Sequence, residues 1–226
     1  MATKKKMLEA AAGNAGSAEG LPEAVSFDGT NDYLSRSSDM TGNADGKTVT
    51  FSGWIYRSAD VTGSIYSSGG LFRVFFTSDN FAFKGYNSAT SVILNAYANF
   101  VSPRNTWQHF LVSVDLANAS NRYVFVDDVD VTSSVTWSTY TNDILDFTQT
   151  QHAIGATAGG SDKLESRLSN VFLDYTYRNL SIEANRRLFI DAEGKPASGQ
   201  ADLSPILYLP LSSADTAGSN SGTGGD

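Results

Sequence analysis

The chain contains no cysteine, two histidines, three tryptophans and five prolines in 226 residues, and no run of apolar residues comes near the length of a membrane span. Without cysteine there is neither a disulfide framework nor a thiolate metal centre, so a packed core alone must hold the fold. Positive charge is also scarce. Lys and Arg total 16 against 24 Asp and Glu, a formal net charge of −8, and after Lys4-Lys5-Lys6 no cluster of cations follows. Phosphate backbones are gripped by clustered cations, so a nucleic-acid-binding face is excluded. Met7–Ala12 is interrupted by Glu9 and falls short of the roughly 7–15 apolar residues of a signal peptide, and nothing approaches the ~20 of a transmembrane helix. Export through a signal peptide and membrane insertion are both disfavoured, and assembly in a cytoplasm fits.

Hydrophobic residues make up 41% of the chain and aromatic residues 12%, enough to build a core in one unit of this length. Composition divides the chain into an arm (1–22), a patterned body (23–211) and a Gly/Ser-rich tail (212–226). In the arm, Lys4 to Ala12 are good helix formers, but Gly13, Gly16 and Gly20 follow, and an isolated helix of about two turns is marginal in water. Lys4, Lys5, Lys6, Met7 and Leu8 are therefore expected to order only by docking on another component.

The body alternates apolar and polar residues between turn signals, the pattern of half-buried antiparallel strands. Leu71–Phe76 and Phe81–Tyr86 flank the polar bridge Thr77–Asn80, and His109–Val114 and Tyr123–Val126 flank Asn118–Asn121, which predicts two hairpins. One helix is predicted, over Ser181–Phe189, with Ser181 as its cap, Glu183 early and Arg186 and Arg187 late, as the helix dipole favours. No internal repeat of 20–50 residues is present.

Four segments then carry a resemblance: Ser26-Phe27-Asp28-Gly29-Thr30-Asn31-Asp32-Tyr33-Leu34; Thr48 to Trp54; Trp107-Gln108-His109 with its hairpin partner Tyr123 to Asp128; and Leu168 to Tyr177 followed by Arg178 to Glu183. Together they resemble the laminin-G-like, concanavalin A-like lectin/glucanase superfamily, near its pentraxin-related branch, over roughly Val25 to Ile190. The resemblance implies an all-β fold, an antiparallel two-sheet jelly-roll sandwich with one short C-terminal helix, in which Trp54 faces inward. One departure is Asp127-Asp128 where the family has Asp-Gly, which predicts a loop other than a tight type I′ turn. The opening Met7–Gly13 and the Gly-rich Asn220–Asp226 resemble segments of tailed-bacteriophage virion proteins that carry this jelly roll. That resemblance implies a tail, fibre or capsid-decoration component that meets other virion proteins through the arm, forms homo-oligomers and adheres to host-surface glycans. A free-standing lectin and a glycoside hydrolase are the competing readings.

Candidate residues follow. Retaining hydrolases need two carboxyl groups about 5–5.5 Å apart; the glutamates between Val25 and Ile190 are Glu165 and Glu183, and Asp128 and Asp130 have alternate spacing but flank a turn, so a solvated acidic loop competes with catalysis. His109 and His152 are too far apart for a local metal motif, and a structural role suits His109. Relatives hold calcium at rim carboxylates, which makes Asp127, Asp128, Asp130 and Asp162 candidate ligands, against the alternative of solubilising turns. For sugars, Tyr66, Tyr86, Tyr97, Trp137 and Tyr140 are candidate platforms. Trp137 to Asp143 is the richest, with Trp137, Tyr140, Asn142 and Asp143 as ligand-binding candidates, and packing or a protomer interface as the alternative role of Trp137.

Overall fold

The computed structural model describes residues 22–59, 62–212 and 217–226. The assembly arm, with Lys4, Lys5, Lys6, Met7 and Leu8, lies outside the described residues. The strands are β1 (Val25–Asp28), β2 (Leu34–Arg36), β3 (Thr48–Arg57), β4 (Gly63–Ser68), β5 (Phe72–Thr77), β6 (Asn80–Tyr86), β7 (Val92–Ala98), β8 (Trp107–Asp115), β9 (Arg122–Val126), β10 (Val129–Asp130), β11 (Val135–Tyr140), β12 (His152–Ile154), β13 (Glu165–Asp174) and β14 (Leu207–Leu209). They form two seven-stranded antiparallel sheets. The first runs β1-β13-β3-β8-β9-β10, with β14 also paired to β13, and the second runs β11-β7-β6-β5-β4-β12-β2. Both predicted hairpins are present, as β5–β6 and β8–β9.

Side-chain alternation decides which residues meet between the sheets. On β3, Val49, Phe51 and Ile55 join the main core, and on β5 and β6 Phe72, Val74, Phe76, Phe81 and Phe83 do so from the other sheet. Phe76 and Phe81 of the second sheet meet Phe110 of the first, with ring centroids 5.5 and 4.6 Å away. Each such side chain contributes about 1.5–3 kcal/mol by leaving water, and the edge-to-face and offset geometries add to that. Arg57, 2% exposed, ends β3 by placing its guanidinium over the Phe76 ring and pairing with Asp79 in the β5–β6 turn.

A smaller second core lies on the outward face of the first sheet. Leu111, Phe125, Phe172 and Tyr208 of the sheet are covered there by Leu180 and Phe189. Trp54 belongs to this outward side: it is buried, but stacked on His109 across the sheet rather than facing inward as expected, because Val49, Phe51 and Ile55 take the inward phase of β3. The predicted helix shrinks to one turn, α1 (Glu183–Arg186), whose cap position is Ile182 and has no side-chain bond; Ser181 bonds Asn179 instead. Leu180 and Phe189 anchor the segment on both sides of that turn, so packing rather than helical length holds it.

Two local readings of the sequence are corrected. Asp127 and Asp128 both adopt positive φ, 50° and 63°, between Val126 and Val129, which pair. This is the pattern of a two-residue type I′ hairpin, which Asp tolerates better than most side chains. Asp127 repays the strain by accepting the His109 N–H (2.8 Å). In the Gly-rich end, residues 217–226 run back over the body: Ser221 N–H donates to the Tyr208 carbonyl and Gly224 N–H to that of Ile206. A Cβ on Gly222 or Gly224 would stand 2.5 Å from the carbonyl oxygens of Pro205 and Ile206, so glycine here serves close backbone approach.

Candidate functional site

Of the candidate segment Trp137 to Asp143, the part up to Tyr140 belongs to the edge strand β11, and Asn142 and Asp143 follow it. A register shift between Trp137 and Thr139 puts an extra residue, Ser138, into the strand, so Trp137 and Tyr140 both turn toward the core. Trp137 meets Phe83 edge-on at 5.5 Å and Tyr140 at 5.5 Å. Arg122, from the other sheet, lies 4.9 Å above the Trp137 ring and 5.1 Å from that of Tyr140. Tyr140 Oη donates to the Asp115 carbonyl (2.9 Å), and burial pushes its hydroxyl pKa up. Asn142 accepts from Lys47 Nζ and Asp143 from Asn87 Nδ2. Trp137 and Tyr140 thus pack on the core, while Asn142 and Asp143 each hold one side chain of a neighbouring segment.

The candidate calcium ligands are likewise engaged. Burial opposes ionisation of Asp128, but Arg186 and Arg187 outweigh it and hold the carboxyl below its usual range. Asp130 caps the Thr132 N–H, and Asp162 pairs with Arg73 on the other sheet. Among the described residues no three His, Asp or Glu side chains are grouped to hold a metal ion. For hydrolysis, Asp28 and Glu165 do face each other across β1 and β13. The Asp28 carboxylate, however, accepts the N–H groups of Asn31, Thr30 and Asp32, which hold it below the usual carboxylate range as a turn cap.

His109 is fully buried, with Nε2 2.8 Å from Ser52 Oγ, and burial pushes its pKa down to about 3. His152 sits at the opposite end of the second sheet, in a chain of bonds from Tyr66 Oη (3.1 Å) to His152 and on to Asp39 (3.3 Å). This chain borders a cavity of about 400 Å³, lined by Leu34, Met40, Ile154, Leu207 and Leu209. Ser35, Arg36, Ser37, Ser38, Asn220 and Asp226 share the wall with these apolar side chains, and Arg36 donates to the Gly225 carbonyl beside it.

The outward face of the second sheet is different in kind. Cross-strand register sets two rows: Ser67–Arg73–Lys84–Asn95–Thr139 and Ser64–Phe75–Ala82–Tyr97–Thr136. Tyr97, 38% exposed, is the one aromatic among the strongly exposed large hydrophobic residues described. Phe75 lies two strands away, about 9–10 Å by strand spacing. Between them Ala82 is 3% exposed, so its neighbours close over it and the surface is continuous from β5 to β7. Arg73 spans the Phe75 ring at 4.5 Å and donates to Ser64 Oγ, and Lys84 Nζ stands 4.9 Å from the Tyr86 ring. The exposed Tyr97 ring beside an amide, hydroxyls and two cations can stack a sugar ring and bond its substituents.

By sequence, no protein-family model and no curated protein matches the chain. Solved structures do. A Bacteroides ovatus protein described as a candidate carbohydrate-binding protein superposes with a TM-score of 0.61 at 14% identity, over 87% of this chain and 53% of that one. The heptameric SAP-like pentraxin of Limulus polyphemus gives 0.52 at 13% identity, over 72% and 79%. The fold is a two-sheet antiparallel jelly-roll sandwich, similar to that of these proteins. The binding domain of Paraclostridial Mosquitocidal Protein 1 shares it, with a TM-score of 0.53 at 11% identity over 70% of this chain and 41% of that one. This jelly roll spans about half the length of the Bacteroides ovatus protein.

Sequence reasoning had Tyr86 and Tyr97 among its aromatic candidates but missed Phe75, Arg73, Lys84 and Asn95. The signal was the phase of alternation. Phe81 and Phe83 take the inward positions of β6, which assigns Ala82, Lys84 and Tyr86 to the opposite face and, through register, Asn95 and Tyr97 with them.

Proposed function

We propose that the chain is a non-catalytic glycan-binding module whose ligand lies on the outward face of β5, β6 and β7. The observation that carries this reading is Tyr97, exposed on a strand face beside Asn95 and Lys84, with Phe75 continuing the floor. An exposed aromatic in a loop needs no explanation, but on a regular sheet face it forgoes burial and offers a rigid ring for stacking. The binding domains among the structural neighbours support a module that holds rather than cleaves. The test is a glycan array and calorimetry with the intact chain, in calcium and in chelator. Wild type should retain at least one glycan and Tyr97→Ala should lose it at unchanged thermal stability; an empty array in both conditions refutes the proposal.

The assembly context extends this reading. The resemblance of Met7–Gly13 to tailed-phage virion proteins supports a particle component whose arm docks on other virion proteins and whose jelly roll points outward, in a homo-oligomer. Deleting residues 1–20 should leave a folded body that no longer enters particles, and normal incorporation would overturn this part alone.

A further inference from the structure

The sign of charge on the proposed platform carries a consequence about its ligand. The chain is acidic, with 24 Asp and Glu, yet β5, β6, β7 and β11, which are neighbours in the second sheet, contain neither. On that face Arg73 and Lys84 stand directly opposite each other across β5 and β6. Like charges in that position destabilise a sheet, and none of these four strands offers an acidic residue to relieve them. Arg73 is compensated from outside, by Asp162 at 2.7 Å. Lys84 makes its contact with the Tyr86 ring (4.9 Å) and has no ion pair among the described residues. Lys84 is opposite Asn95, and Tyr97 is two residues further along the same strand, so a ring stacked on Tyr97 brings its substituents within reach of both the ammonium and the amide.

We infer that the platform takes an anionic glycan, one whose sugars bear a carboxylate or sulfate, with Lys84 as the group that receives the charge. This rests on the glycan reading above and narrows it. Two cations are too few for a polynucleotide, whose binding sums many phosphate contacts. One ammonium beside an aromatic stack suits a single charged substituent per bound sugar, and Lys84, which faces Arg73 without an ion pair of its own among the described residues, is relieved when that substituent arrives.

The experiment compares probes that differ in charge alone: polygalacturonate against its methyl ester, and dextran sulfate against dextran, by calorimetry at low and high salt. Binding should favour the charged member of at least one pair about tenfold or more, weaken with salt, and identify carboxylate or sulfate by which pair responds. Lys84→Gln should remove that preference and leave any binding of the neutral member intact, whereas Tyr97→Ala should abolish both. Lys84→Glu supplies an independent readout, since it places opposite charges across β5 and β6: thermal stability should hold or rise while charged-probe binding is lost. Equal binding of charged and neutral members, or charged-probe binding untouched by Lys84→Gln, overturns the inference while the glycan proposal stands. Loss of stability together with binding in Lys84→Glu also overturns it, by assigning Lys84 a structural role.

Discussion

Trp137 and Tyr140 are three residues apart on one strand and still share its inward side, because Ser138 is extruded between them. The pair, with Arg122 stacked across it, closes one side of the sandwich. Trp137→Ala should therefore cost about 3 kcal/mol of stability through lost packing, measured as a lowered urea midpoint, whereas Tyr97→Ala should stay within about 0.5 kcal/mol. Deleting Ser138 leaves Trp137 and Tyr140 two residues apart, which strict alternation also keeps on one side, so the deletion should destabilise the chain less than Trp137→Ala.

A second prediction concerns His109. Its folded pKa lies at about 3, below the ordinary 6.5, so the unfolded chain binds the proton more readily and stability falls as pH drops below 6.5. Between pH 7 and pH 5 the loss for one such histidine is about 2 kcal/mol. His152, also lowered by burial, adds to it. Urea midpoints at the two pH values should differ accordingly in wild type and differ less in His109→Phe. Equal slopes would show that His109 does not titrate on unfolding.

Asp79 acts in a lower window. Hydrogen bonds from Arg104 and Arg57 hold its carboxyl at about 2. Its stabilising effect is complete above the ordinary carboxylate value and is lost as pH falls from about 4 through about 2. Asp79→Asn should flatten that part of the stability profile. At neutral pH, Arg57→Ala empties a buried site over Phe76 and leaves Asp79 with Arg104 alone, and the cavity should cost about 2–5 kcal/mol.

The Asp127-Asp128 turn permits a coupling measurement. Asp128 is held in a left-handed conformation and receives Arg186 and Arg187 from the α1 segment. Asp128→Ala and Arg186→Ala should each destabilise, and their double-mutant cycle should show a coupling of about 1 kcal/mol. Additive effects would mean that the turn and α1 stay in place independently.

Much of this architecture is legible in the sequence because alternation is a local property. Phe72 to Phe76 and Phe81 to Tyr86 announce both their strands and their hairpin. What escaped detection depends on partners distant in the chain. Trp54 alternates as a core residue would, and only a second covering layer, built from Leu180 and Phe189, explains buried residues on the outward side of that sheet. Ser138 looks like any polar residue, yet as an extra residue it decides where Trp137 and Tyr140 point. The platform escaped for the same reason: Arg73, Lys84 and Asn95 lie far apart in sequence and are joined by register alone.

The return of residues 217–226 over β14 bears on how the molecule can be handled. Their main-chain bonds to Pro205, Ile206 and Tyr208 occupy groups that an edge strand would otherwise present to a second molecule. Cutting the chain after Leu211 would bare those groups and invite strand-to-strand stacking, seen as concentration-dependent association in sedimentation. Glycine-rich composition there acts as protection against aggregation, and shortening this end to improve crystallisation or expression would work against both.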